Sequence, residues 1–272
     1  MKVTGPLLLI GCGKMGGALL SGWLERGVDA KDVYILDPNP AALEPFGSAP
    51  LNHVEAFADL PGDFRPALVM LAVKPQQMDE ALPQLRSFVT PETVFLSIAA
   101  GKTLDYFKGQ LGDEAAIVRA MPNTPAAVGR GVSVMVANAA VSEPQRQFCQ
   151  ELMSAVGLAD WVEDEDQMNA VTAVSGGGPA YVFYMIECLA KAGEEAGLLK
   201  EVAERIARAT VTGAGELVHQ SSEAPAQLRK NVSSPGGTTV EALAVLMAED
   251  GLEPLMVKAI AEATRRSREL AS

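Results

Sequence analysis

Leu7-Leu8-Leu9-Ile10-Gly11-Cys12-Gly13-Lys14-Met15-Gly16 is the stretch from which the fold of this chain can be read. Four consecutive large aliphatic residues suit a strand covered on both faces. The amphipathic run Met15–Arg26 that follows suits a helix packed on that strand. A G-x-G-x-x-G loop is weak evidence by itself, because glycine pairs recur in loops. Between a strand and a helix it has a mechanism. Gly11 permits a tight turn, Gly13 lets backbone approach a pyrophosphate, and Gly16 allows close helix–strand packing. Phosphates would then rest on exposed N–H groups at the positive end of the helix.

Outward from this loop, further strands are expected at Val33–Leu36, Ala67–Val73, Val94–Ile98, Ala116–Ala120 and Val132–Val136. Helices are expected at Met78–Phe88 and Leu104–Leu111. Strands alternating with helices indicate a doubly wound α/β domain. A helix around Glu143–Val156 and a strand near Leu158–Val162 close this half, and the acidic run Glu163-Asp164-Glu165-Asp166 follows. Beyond it the pattern is helical throughout, at 167–174, 180–197, 200–220, 239–249 and 254–270. The expected organisation is a nucleotide-binding domain over 1–162 and an all-α domain over 163–272. The helix from Tyr181 is apolar around most of its circumference and must be covered on nearly all sides. About a hundred residues could hardly do that alone, so packing between subunits is expected.

The 272 residues include 48% apolar and 21% charged side chains, a normal globular balance. The net charge of −12 argues against nucleic acid as a partner. The one basic cluster, Arg265-Arg266-Ser267-Arg268, reads as a solvated helix end. Met1–Leu7 lacks the features of an export signal, and the apolar run from Pro179 to Leu199 is interrupted by Glu187, Lys191, Glu194 and Glu195, so no membrane span is expected. Cys12, Cys149 and Cys188 are scattered and odd in number, which suggests a reducing cytoplasm and no disulfide framework. Cys12 reads as a small spacer in its loop. His53 and His219 are far apart and have no ligand spacing, so no metal site is expected and each reads as a surface residue.

Asp37 closes the second strand. Its carboxylate could accept hydrogen bonds from adenosine ribose hydroxyls and repel a 2′-phosphate, favouring NAD, or it could serve as a turn former ahead of Pro38. Ala72-Val73-Lys74-Pro75 lies at the carboxyl end of the longest apolar strand, where ligands of open α/β sheets bind. Lys74 could equally be a solvated strand end. Met121-Pro122-Asn123-Thr124-Pro125 reads as a rigid loop, with Asn123 and Thr124 as polar contacts or as parts of an ordinary connection. In Asn231-Val232-Ser233-Ser234-Pro235-Gly236-Gly237-Thr238-Thr239-Val240-Glu241, Thr238 and Glu241 read as a capping box. Exposed N–H groups and a dense set of hydroxyls there suit a substrate carboxylate.

Together these segments, with Ser175-Gly176-Gly177-Gly178-Pro179-Ala180-Tyr181 and Leu228–Thr239, closely resemble the pyrroline-5-carboxylate reductase family. The resemblance runs through nearly the whole chain, and Gly177 departs from it where a serine is usual. It implies a Rossmann-like domain followed by a helical domain that forms a homodimer, often assembling to a decamer, with substrate between the domains and residues from two subunits. It implies hydride transfer from NADPH or NADH to the C=N bond of 1-pyrroline-5-carboxylate, giving L-proline. Ser234, Gly237 and Thr238 would bind the substrate carboxylate, and Thr239 the ring nitrogen. Ile10, Gly11, Cys12, Gly13, Lys14, Met15, Gly16, Asp37, Asn52, Ala72, Val73, Lys74, Pro75, Asn123, Gly178 and Pro179 would make up the cofactor set. Many members prefer NADPH; Asp37 leans this chain toward NADH. The rivals are a related imine or β-hydroxyacid reductase, whose catalytic lysine lacks a matching motif around Lys191 or Lys200, and a non-catalytic dinucleotide sensor.

Overall fold

The computed structural model describes residues 3–271. The first part alternates β1 (Leu7–Ile10), α1 (Lys14–Glu25), β2 (Val33–Leu36), β3 (Asn52–Val54), β4 (Leu68–Leu71), α2 (Met78–Leu85), β5 (Val94–Ser97), α3 (Leu104–Leu111) and β6 (Ala116–Met121). β7 (Gly131–Ala137), α4 (Glu143–Met153) and β8 (Gly157–Trp161) complete it. The eight strands form one sheet in the order β3-β2-β1-β4-β5-β6-β7-β8. Every neighbouring pair is parallel except β6 with β7.

The aliphatic runs are explained by helices on both faces. Leu7 and Leu9 enter one core with Leu19, Leu20 and Trp23 of α1, while Leu8 and Ile10 enter a second core with Leu82 of α2 and Phe107 of α3. Trp23 is fully buried, and its indole N–H donates to Leu152 O at 3.0 Å, so its burial leaves no donor unsatisfied. From β1 the chain winds outward through β2 to β3, then crosses to β4 on the other side of β1. The carboxyl ends of β1 and β4 are therefore the switch point at which such sheets bind ligands.

Past β8 the structure is helical: α5 (Gln167–Val171), a π-helical turn (Thr172–Gly176), α6 (Gly178–Glu195), α7 (Lys200–Gln220), α8 (Pro225–Asn231), α9 (Thr238–Leu246) and α10 (Leu252–Ala271). The fold is thus a mostly parallel α/β sheet followed by an all-helical region. Two segments depart from the sequence reading. β3, with the sequence Asn-His-Val, is three residues long and α8 is short and polar, so neither carries a legible period.

The chain divides into two compact units. One holds the sheet, α5 and the π-helical turn through Gly176, together with the chain from Ala263 onward; the other spans Gly177–Glu262. Composition changes near residue 163, but α5 packs with the sheet through Met168, beside Met121 and Val136. Hence packing changes later than composition. Within the helical unit, α6 packs on α7 through small residues: the described residues buried there are Ala190, Ala203 and Ala207. Phe183 (58% exposed), Tyr184 (66%) and Val245 (73%) remain open to solvent in a single chain.

Candidate cofactor and substrate sites

The glycine loop is held by the Gly11 and Cys12 N–H groups, which donate to Leu36 O at 2.9 Å and Asp37 Oδ2 at 2.7 Å, while the N–H groups at the start of α1 are left free. Gly11 has a φ of 90°, which a side chain would resist. A Cβ on Gly16 would lie 2.2 Å from the Gly11 carbonyl oxygen, so α1 can approach β1 here because the side chain is missing. Gly13 differs: a Cβ there would meet nothing within 4 Å. Nothing in the protein requires glycine at 13, whereas a group bound against the loop would. Gly13 is also the N-cap of α1, with no side-chain cap and no acidic residue in the first turn. The N–H groups of Lys14, Met15 and Gly16 precede the first helical bond, Gly17 N to Gly13 O at 2.7 Å. This arrangement fits a diphosphate.

Asp37 is the turn former that one of its sequence readings expects, and it has a second structural bond that neither reading names. Its Oδ1 accepts from Asn39 N at 2.9 Å, the turn-forming bond. Its Oδ2 accepts from Cys12 N at 2.7 Å, tying the end of β2 to the glycine loop. A carboxylate offers about four lone-pair directions, so two remain for ribose hydroxyls. His53 is engaged too: its Nε2 lies 2.8 Å from Asp37 O. The Cys12 thiol is buried, and burial, with the Asp37 charge second, pushes its pKa up to about 11. At neutral pH it is a thiol, the inert form.

A cleft of about 710 Å³ opens beside this loop. Ile10, Gly11, Gly13, Asp37, Ala72, Val73 and Lys74 line it, as do Pro38, Asn39, Glu55, Ala56 and Phe57. Pro75 lines a neighbouring cavity of about 580 Å³ with Asp79, Lys102 and Tyr106. There the Tyr106 hydroxyl donates to an Asp79 oxygen at 2.6 Å, and desolvation, then that bond, raises its pKa. Lys14, at the start of α1, lines a separate cavity with Ser21, Glu25 and Val128. Met15 packs against the core.

Two expected cofactor residues have their side chains engaged elsewhere. Asn52 begins β3, and its amide donates to Lys31 O at 2.7 Å and Val33 O at 3.2 Å, at the opposite end of the strands from the glycine loop. Glu55, just past the carboxyl end of β3, reaches the cleft instead. Asn123 donates to Ser175 O at 3.0 Å and accepts from Val132 N at 2.8 Å. It braces the loop before β7 against the π-helical turn, where Thr172 and Ser175 hydroxyls bond back to Met168 O and Val171 O. The acidic run after β8 also has a structural part: Glu165 accepts from Arg119 and from Leu104 N, fixing the start of α3.

In the helical unit, the start of α9 differs from the capping box expected from Thr238 and Glu241. Gly237 N donates to Ser234 O at 2.9 Å, closing the Ser-Pro-Gly-Gly turn. Gly237, at φ −83° and ψ 161°, is thereby the N-cap, with no side-chain cap. The helix starts one residue earlier than a Thr238 cap would allow, so Thr238 and Thr239 are its first two residues. Their N–H groups precede the first bond of the helix, Val240 N to Gly237 O at 3.1 Å. Free donors beside hydroxyl side chains suit an anion. Ser233 is partly committed, its Oγ donating to Arg229 O at 2.7 Å. Gly178 and Pro179 open α6 in this unit.

Among the described residues there is no helix long and apolar enough to cross a membrane, and no group of three or more His, Cys, Asp or Glu that could hold a metal ion.

A family model described as pyrroline-5-carboxylate reductase dimerisation matches residues 165–270. One described as NADP oxidoreductase, coenzyme F420-dependent, matches residues 7–101. The pyrroline-5-carboxylate reductase of Pseudomonas aeruginosa is 39% identical over 269 residues, covering 98% of this chain and 97% of its own. That of Synechocystis sp. is 44% identical over 203 residues, 75% of this chain and 74% of its own. Among solved structures, a pyrroline-5-carboxylate reductase from Coxiella burnetii superposes with a TM-score of 0.92 at 34% identity, covering 99% of this chain and 100% of that one. A pyrroline carboxylate reductase from Plasmodium falciparum with NADP bound gives 0.78 at 27% identity, over 99% of both chains.

Proposed function

The chain belongs to the pyrroline-5-carboxylate reductase family, and from that premise we propose how its residues divide the work of reducing a cyclic imine. It is an NAD(P)H-dependent oxidoreductase that converts 1-pyrroline-5-carboxylate to L-proline, and its helical segment is a dimerisation domain. In our reading residues 1–162 hold the cofactor and 163–272 hold the substrate and make the dimer. We extend the assembly to a decamer and place the enzyme in the cytoplasm.

The pyrophosphate rests on the N–H groups of Lys14, Met15 and Gly16 over Gly13. The ribose of the adenosine half bonds to Asp37, and the nicotinamide half lies along Ala72-Val73-Lys74-Pro75. Bound there, the reduced nicotinamide supplies two electrons and a hydrogen to C5 of the pyrroline ring, and the ring nitrogen takes a proton. Because Asp37 meets the ribose, NADH is used at least as well as NADPH.

The substrate carboxylate is held by Ser234 and by the backbone N–H of Thr238, at a turn shaped by Gly237, whose own N–H is bonded to Ser234 O. This anchor leaves the Thr239 hydroxyl to meet the ring nitrogen. A threonine hydroxyl is a poor acid by pKa, so Thr239 relays a proton or orients an imine that is already protonated. Most of the acceleration then comes from positioning two reactants.

The observation that carries this reading is the uncapped start of α9, where free donors and hydroxyls stand together. Thr239→Ala is expected to lower kcat at least about a hundredfold while cofactor affinity stays within about twofold. An unchanged kcat overturns the assignment. Nucleotide oxidation on adding pyrroline-5-carboxylate separates this enzyme from a dinucleotide sensor.

A further inference from the structure

Besides Asp37 the dinucleotide cleft is lined by two carboxylates that the glycine motif does not announce, Glu80 on α2, beyond β4, and Glu55, beside Asp37. In the sheet register Leu36 lies opposite Val54. Asp37 and Glu55 each follow directly, so two adjacent parallel strands end in carboxylates side by side. Both line the cleft, and their neighbours there, Pro38, Asn39, Ala56 and Phe57, are uncharged. The cation among the lining residues is Lys74, past the end of β4, which in strand order lies on the other side of β1. A dinucleotide with its pyrophosphate at the start of α1 and its ribose on Asp37 therefore turns its 2′ position toward two negative charges.

The two acids are differently engaged. The Asp37 carboxylate accepts from Cys12 N at 2.7 Å and Asn39 N at 2.9 Å, so it is part of what shapes the glycine loop. Among the described residues the Glu55 side chain has no hydrogen bond or ion pair; it is exposed at the rim of the cleft. Replacing Asp37 frees a loop N–H as well as removing a charge. Replacing Glu55 removes a charge and nothing else.

We propose that Glu55 is a specificity-determining residue that excludes the 2′-phosphate of NADPH, and that it, rather than Asp37, is the position where NADPH use can be opened without loosening the glycine loop. This rests on the NADH preference proposed above. A phosphate with nearly two negative charges is repelled by each carboxylate close to it, and at a protein surface the repulsion is screened by salt.

The test is calorimetric titration of the intact protein with NADH and with NADPH, for the parent, Glu55→Gln, Glu55→Lys and Asp37→Asn. The parent is expected to bind NADH more tightly. Glu55→Gln should tighten NADPH binding about tenfold, the scale of one unit charge removed near a surface, and leave NADH within about twofold. Glu55→Lys should tighten it further, with the gain shrinking at high ionic strength. Asp37→Asn should weaken both nucleotides. A parent that binds NADPH more tightly overturns the NADH reading and this proposal with it. A parent that favours NADH, with NADPH affinity unmoved in both Glu55 variants, overturns the role of Glu55 alone.

Discussion

The starts of α1 and α9 have the same chemistry and different support. Each helix begins on a glycine N-cap with no side-chain cap, and each leaves backbone donors free. At α1 the donors are held by the core beneath them: Gly16 is wedged against Gly11 O, and Leu19, Leu20 and Trp23 are fully buried. At α9 the start is shaped by a local turn, in a unit whose buried described residues are three alanines, Ala190, Ala203 and Ala207. The sheet unit supports its proposed anion site from its own interior. The helical unit leaves large apolar side chains uncovered, and its dimerisation region implies that a second copy supplies what is missing.

The sharpest way to break this contrast is to charge the uncovered face. Phe183 is 58% exposed in the single chain, so Phe183→Glu would cost a monomer little. If a second copy covers it, the variant buries an unpaired carboxylate, a penalty of about 4 kcal/mol. Sedimentation should show a shift to monomer with proline formation lost, while NADH binding to the sheet unit persists. A Phe183→Glu protein that remains dimeric would show that α6 does not lie in the interface.

The converse experiment strikes the self-supported start. In Gly16→Ala the new Cβ collides with backbone, which cannot swing aside as a side-chain tip would. A loss of about 3 kcal/mol in urea unfolding is expected, with NADH affinity falling alongside it. Gly13→Ala serves as its control: the Cβ meets open space, so stability should hold while NADH binding weakens.

How much of this was legible follows from the same division. The sheet strands were readable because each is covered on both faces, so burial alone selects aliphatic runs such as Leu7–Ile10 and Leu68–Leu71. β3 is not legible because a three-residue edge strand with Asn and His in it has no period. The Thr238–Glu241 spacing is a true capping pattern, but it cannot reveal that Gly237, turned by its bond to Ser234, takes the N-cap position first. Asn123 was legible as important and not as a brace, because its partners, Ser175 and Val132, are chosen by tertiary contact. The dual duty of Asp37 is of the same kind: the turn bond is local and readable, while the bond to Cys12 joins residues 25 apart.

The finest test strikes the first residue of α9, removing its backbone donor and then, separately, its hydroxyl. Thr238 is the first residue of α9, a position that tolerates proline because its N–H has no partner within the helix. Gly237, at ψ 161°, is already in the extended conformation that a following proline requires. Thr238→Pro should therefore leave thermal stability nearly unchanged while removing one N–H, together with the residue's hydroxyl, from the proposed carboxylate anchor. A hydrogen bond to a charged group contributes about 1.5–3 kcal/mol, so KM for pyrroline-5-carboxylate should rise between about tenfold and a hundredfold. KM for NADH should not move, since the proposed cofactor site is at the other helix start. Thr238→Ala, which keeps the N–H and lacks the hydroxyl, should leave KM near the parent value; a KM as high as that of Thr238→Pro would mean that the hydroxyl rather than the backbone donor is what the substrate meets. An unchanged substrate KM in Thr238→Pro would mean that the free donors of α9 are a feature of a glycine-capped helix and not of a binding site, and the likeness between the two helix starts would be geometrical alone.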